Sequence, residues 1–303
     1  MSVWKFMLAV PAGGPAAIGL FSGGDTAIGR VNTIQKIVIP TTGNATDFGD
    51  MTVTASYPYS MSSDTRAVMA DGQLNNVISY VTIATEGNAT DFGDMATAMY
   101  LGGGNSNSTR GLMNGGVRSN TIQYITIAST GNSTHFGNMI GSDAYGATSC
   151  ASPTRGVNFG RWGSGPAVDL IGYVTIASTG TESDFGDLTF GTFAAGGCSS
   201  DTRGLCMGGY SFDGGGGYLN VISYVTIAST GNATDFGDLT ESKRLNNAAC
   251  SSNIRGVRGG GDSDVNTIDY VTIDTTGNAT DFGDLLEANS GPSGCSNAHG
   301  GLQ

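Results

Sequence analysis

The stretch Val225-Thr-Ile-Ala-Ser-Thr-Gly-Asn-Ala-Thr-Asp-Phe-Gly-Asp-Leu239 decides the fold, because close variants of its second half recur through the chain. The Phe of that half falls at Phe48, Phe92, Phe136, Phe185, Phe236 and Phe282, with successive spacings of 44, 44, 49, 51 and 46 residues. A period of this length is that of propeller blades, in which one supersecondary unit is used repeatedly and buries its faces against its neighbours. Ahead of each phrase lies a run of Val, Ile, Thr and Tyr: Thr33–Ile39, Val77–Ile83, Thr121–Ile127, Leu170–Ile176, Val221–Ile227 and Thr267–Ile273. Tyr holds the fourth place in five of them (Tyr80, Tyr124, Tyr173, Tyr224, Tyr270), and Lys36 holds it in the first. Such runs suit strands covered on both sides.

A turn containing Gly and Asn follows, then a short strand ending in Phe-Gly-Asp or Phe-Gly-Asn. After a variable segment comes Thr-Arg-Gly-Leu or a relative, with Arg at Arg66, Arg110, Arg155, Arg203 and Arg255. Further on stands a pair that is Gly-Gly in most copies: Gly23-Gly24, Gly115-Gly116, Gly208-Gly209 and Gly260-Gly261. This order resembles the kelch repeat, in which an apolar strand ends in Gly-Gly, a variable loop follows, and then come a strand bearing Tyr and a strand bearing an aromatic. The resemblance spans nearly the whole chain. It departs in the last strand, where kelch blades place Trp and this chain places Phe; Trp4 and Trp162 lie elsewhere. The resemblance implies an all-β, six-bladed propeller of four-stranded blades. The phrase from Val225 to Leu239 also resembles segments of virion structural and tail proteins of bacteriophages. That resemblance implies a tail, tail-fibre or capsid-decoration component of a virion, present in many copies. Its partners would be other virion proteins, and also a host surface glycan or receptor.

The strands take the letters a to d in each blade, with a the variable segment before Thr-Arg-Gly. Cys150, Cys198 and Cys250 each stand five residues before the Arg, and Cys295 stands five before Gly300 in the same frame. Residues 286–300 therefore read as a strand a with no blade after it, and they are expected to complete blade 1. Such closure removes the open edges that invite aggregation. The domain then runs over 15–303, with 1–14 as an N-terminal extension.

Net charge is −12, with 13 basic residues and only three Lys (Lys5, Lys36, Lys243). A sequence-independent nucleic-acid binder needs Lys and Arg to neutralise phosphates, so nucleic acid is not an expected partner. No run approaches the length of a membrane span; the start slightly resembles a signal peptide, but its apolar run Phe6–Ala12 is at the minimum length and contains a Pro, so none is expected. The five Cys form no tight pair with metal-ligand spacing.

The repeated polar residues have structural readings. The five Arg form either an anion-binding ring or, as expected here, pairs with acidic residues of the repeat such as Asp94 or Asp238. The frame-matched Cys either line the channel for a soft metal or fill the core. Met61 and Asn105 in the same frame favour the core. Neither a metal nor a cofactor is expected. Asn44, Asn88, Asn132, Asn232 and Asn278 fit a glycosylation pattern but read as turn residues. The segment Gly261–Asn266 lacks the distal Glu of an EF-hand. Neither His135 nor His299 stands near a nucleophile motif, and a catalytic pair would break the repeat, so the chain is expected not to be an enzyme. The alternative is a propeller enzyme or lectin acting on surface carbohydrate. Length varies in the b–c loops of blades 4 and 5, which carry Trp162, Tyr210, Phe212 and Tyr218. Aromatics on Gly-rich loops are candidate binding residues.

Overall fold

The computed structural model describes residues 16–71, 75–163, 167–212, 216–242, 248–261 and 265–298. The extension 1–14, His299 and the Gly300-Gly301-Leu302 frame lie outside the described residues, as do Lys243 and the middle of the 261–266 segment. Six antiparallel four-stranded sheets form a ring, a six-bladed β-propeller. Blade 2 is Tyr59–Ser62, Arg66–Ala70, Val77–Thr82 and Thr90–Asp94, and the other blades repeat this order outward from the axis. The C-terminal strand Ser293–Ser296 is strand a of blade 1 and pairs with Ile18–Ser22. It packs between the inner strands of blades 6 and 2, Ala249–Ser251 and Tyr59–Ser62. The expected closure is therefore the observed one. Among the described residues no helix is long and apolar enough to cross a membrane.

The repeat phrase is a clasp between blades. The c–d loop of each blade lies over strand d of the blade before it. The Gly131 N–H donates to the Phe92 carbonyl (2.7 Å) and the Ser133 N–H to the Asp94 carbonyl (2.9 Å). The same pair of bonds occurs at every seam, ending with Gly43 on Phe282 and Ala45 on Asp284 (both 2.8 Å), where blade 1 closes on blade 6. The turn Asn adds a third bond at five seams: Asn132 Oδ1, for example, accepts from the Asp94 N–H (3.0 Å). These bonds satisfy the outer edge of strand d, which an open sheet would leave free. They also explain the Gly of Phe-Gly-Asp. At Gly93 (φ 146°) a Cβ would lie 2.5 Å from the Gly131 carbonyl oxygen.

The five Arg correct the expected acid pairing. Each guanidinium lies over the Tyr of its own blade, 4.5–4.7 Å from the ring centroid. Each donates to an Ile carbonyl at the end of strand c in the next blade. Arg66 reaches Ile127 (3.1 Å), Arg110 Ile176 (3.0 Å), Arg155 Ile227 (2.9 Å), Arg203 Ile273 (3.0 Å) and Arg255 Ile39 (3.0 Å). A carbonyl at a strand end lacks a ladder partner, so a charge-assisted bond there satisfies a group that carboxylates cannot. The Tyr ring in turn meets the repeat Phe edge-on at 5.9–6.0 Å. Blade 1 lacks both partners: Ile18 and Lys36 stand in the Arg and Tyr places, and Lys36 pairs with Glu86 of blade 2.

Around the axis, serines stitch the inner strands. Ser296 Oγ donates to the Ser251 carbonyl (2.7 Å), Ser251 to Ser199 (2.7 Å), Ser199 to Ala151 (2.6 Å), Ser106 to Ser62 (2.8 Å) and Ser62 to Ser296 (2.8 Å). Blade 4 has Ala151 in the Ser place, and Asn105 Nδ2 bridges that seam to the Cys150 carbonyl (3.3 Å). The frame-matched Cys are wholly buried. Cys250, Cys150 and Cys198 fill the space over a Gly of the next blade, where a Cβ on Gly19, Gly204 or Gly256 would lie 2.5, 2.6 or 2.7 Å from the sulfur.

Candidate functional site

Strand b ends at or directly before the Gly-Gly pair in blades 1, 3 and 6, as expected. In blade 5, and at Gly160-Arg161 in blade 4, it runs past a bulge: register shifts between Phe159 and Arg161 and between Met207 and Gly209. Gly160 (φ 48°), Gly208 (φ 71°) and Gly209 (φ 99°) supply the left-handed backbone this requires. Pairing then resumes, and strands b and c run on as hairpin arms, Arg155–Trp162 with Ala167–Thr175 and Arg203–Ser211 with Gly217–Thr226. The aromatics expected on loops thus stand on or beside strands. Trp162 and Tyr210 are on strand b, Tyr218 is on strand c, and Phe212 directly follows Ser211.

The structure brings these residues together with two more. Tyr145 and Phe193 come from the d–a connections and bond to the arms like short extra strands. The Trp162 N–H donates to the Tyr145 carbonyl (2.7 Å) and the Tyr210 N–H to the Phe193 carbonyl (3.0 Å), with the reverse bonds also made. The six rings are contiguous. Trp162 meets Tyr145 edge-on at 5.3 Å, Phe193 at 5.6 Å and Phe212 at 5.4 Å. Phe193 and Phe212 stack at 5.7 Å, Tyr210 meets Phe212 at 5.0 Å, and Tyr218 meets Tyr210 at 5.4 Å. Each such pair contributes about 0.5–1.5 kcal/mol beyond area burial. Phe193 is the buried floor at 5% exposure, while Trp162, Phe212 and Tyr218 remain 38%, 40% and 40% exposed.

A buried ion pair anchors the base of the blade 4 arm. Arg161, next to Trp162, donates to Glu182 (3.1 Å), and both side chains are almost wholly buried. Glu182 also accepts from Asn158 Nδ2 (2.9 Å) and the Ile140 N–H (2.8 Å). Glu182 stands where the other copies have Ala or Ser, and Gly172 opposite leaves room for its carboxyl group. In blade 6 the buried Arg258 faces Asp269 across strands b and c. Burial lowers its guanidinium to about 10, and Asp269 opposes that shift.

Sequence reasoning missed Tyr145 and Phe193, although both stand five residues before a frame Cys, Cys150 and Cys198. It also missed Glu182, whose signal is a charged residue breaking an Ala slot. Among the described residues no group of three or more His, Cys, Asp or Glu is arranged to hold a metal ion. Burial pushes the thiols of Cys198, Cys206 and Cys295 up to about 12, and those of Cys150 and Cys250 well above the ordinary range. Thiols in that state are poor nucleophiles and poor ligands. His135 lies on strand d of blade 3, exposed and opposite Gln123. No family model matches the chain, and no curated protein gives a significant match to it.

Proposed function

We propose that this chain is a non-catalytic scaffold and attachment module whose contact surface is the aromatic face of blades 4 and 5. One observation carries the reading. The six-ring cluster breaks the repeat and leaves three large rings exposed on or beside the hairpin arms. By contrast, the repeated polar side chains are used in holding blades together: Arg on carbonyls, Asn on amides, Ser across inner strands. Residues bound into seams at each turn of a ring are fixed by packing rather than by chemistry on a substrate. The finer assignment, a kelch-like virion component of a bacteriophage in a tail, tail fibre or capsid decoration, is supported by the order of the repeat and by the phrase Val225–Leu239. In it, many copies contact other virion proteins in a symmetric assembly built in the host cytoplasm, and the aromatic face is turned to its target. Fold alone does not license that assignment, so the test addresses the face. Particles carrying Trp162→Ala with Tyr218→Ala are expected to contain the folded protein at the normal level, with a melting temperature lowered by the lost ring contacts, and to attach to their target about tenfold less well. Attachment at the unaltered level would overturn the reading.

A further inference from the structure

The exposed rings have the size and character of a small-ligand site rather than of a protein interface. A large aromatic side chain buries roughly 150–250 Å². At 38–40% exposure, Trp162, Phe212 and Tyr218 together offer roughly 180–300 Å² of ring surface. A stable protein partner covers about 800 Å² on each side. The available area is instead that of one or two sugar rings. The chemistry agrees. The face of a pyranose that carries its C–H bonds is apolar and slightly positive, and it lies against the negative face of an aromatic ring. Trp162 and Tyr218 are held by strand pairing, and the base of the Trp162 arm by the buried Arg161–Glu182 pair, so these two rings need little ordering on binding. The net charge of −12 repels carboxylated, sulfated and phosphorylated glycans.

We infer that this face binds an uncharged glycan, a chain of neutral hexoses or N-acetylhexosamines, stacked on Trp162 and Tyr218 over Phe212. The inference rests on the reading of the cluster as the contact surface. It is tested on the full chain carrying Trp4→Phe, which leaves Trp162 as the sole tryptophan. Tri- to hexasaccharides of glucose, galactose, mannose and N-acetylglucosamine are titrated while Trp162 emission is followed, with sialylated and sulfated oligosaccharides as controls. At least one neutral sugar is expected to give a saturable change below about 10 mM. Tyr218→Ala should weaken it about fivefold, the loss of one ring contact. Trp162→Ala should abolish binding measured by calorimetry, and Trp162→Tyr should restore part of it. No saturable change with any neutral sugar, or an equal response to the acidic ones, overturns the inference. If sugars fail while Trp162→Ala with Tyr218→Ala still impairs attachment, the contact surface stands and the glycan falls. If neither effect is seen, both fall.

Discussion

Changing Gly93 to Ala places a Cβ about 2.5 Å from the Gly131 carbonyl oxygen, closer than real side chains approach. The c–d loop of blade 3 must move, and three bonds across the seam go with it: Gly131 to Phe92, Ser133 to Asp94, and the Asp94 amide to Asn132. Each contributes about 0.5–1.5 kcal/mol net. The substitution also forces Ala into φ 146°, a cost unrelated to the seam. Gly131→Ala is the control, because Gly131 has φ 153° and nothing within 4 Å of a Cβ. The difference between the two variants isolates the clasp and is expected to be about 2–4 kcal/mol. At this chain length a kilocalorie moves the melting temperature by about 2 °C, so Gly93→Ala should melt roughly 4–8 °C below Gly131→Ala. The assay is scanning calorimetry of both variants, backed by denaturant midpoints. Equal melting temperatures would show that the clasp does not hold the seam.

Glu182→Ala restores the repeat residue but leaves Arg161 buried without its partner, which should cost about 3–5 kcal/mol in a denaturant titration; a neutral result would remove the ion pair from the account. The buried thiols make stability fall in alkali. Unfolded thiols ionise near 8.5 while Cys198, Cys206 and Cys295 hold their protons to about 12. Their stabilisation is therefore complete below about pH 8.5 and is lost above it, at about 1.4 kcal/mol per pH unit for each thiol. Denaturant midpoints measured at rising pH should drop steeply, and a flat profile would contradict the burial. Deleting residues 286–303 removes the inner strand of blade 1, uncovers Ile18–Ser22 and exposes the seams to blades 2 and 6. The truncated chain should melt well below the full chain and self-associate, and an unchanged melting temperature would refute the closure.

The ring itself was legible because its signals are periodic. The spacing of Phe48 through Phe282 gave the blade count, the Tyr-bearing runs gave strand c, and the Cys frame ending at Cys295 gave the closing strand. The partners of the repeated residues were not legible. Arg66 and its equivalents were expected to find acids, since sequence shows charges and not the unpaired carbonyls of Ile127 or Ile39. Asn132 reads as a turn former, but the turn lies at Thr126–Ser129 ahead of it, and the Asn132 side chain serves the preceding blade. The Gly-Gly pair reads as the end of strand b, and it is one in blades 1, 3 and 6; in blades 4 and 5 the strand runs past a bulge, which uses the same residue as a turn. Four of the six clustered aromatics stood out as unusual insertions. Tyr145 and Phe193 did not, because they lie in segments whose length and composition vary from unit to unit, and only the backbone bonds to Trp162 and Tyr210 bring them in.

The most direct measurement is a cryo-electron microscopy map of the particles in which the protein is proposed to assemble. The account predicts ordered, symmetry-related copies of the six-bladed ring, with Trp162, Phe212 and Tyr218 on the surface presented to the target. A protein found only as a free monomer, or an assembly in which those rings are sealed away from any target, would contradict it.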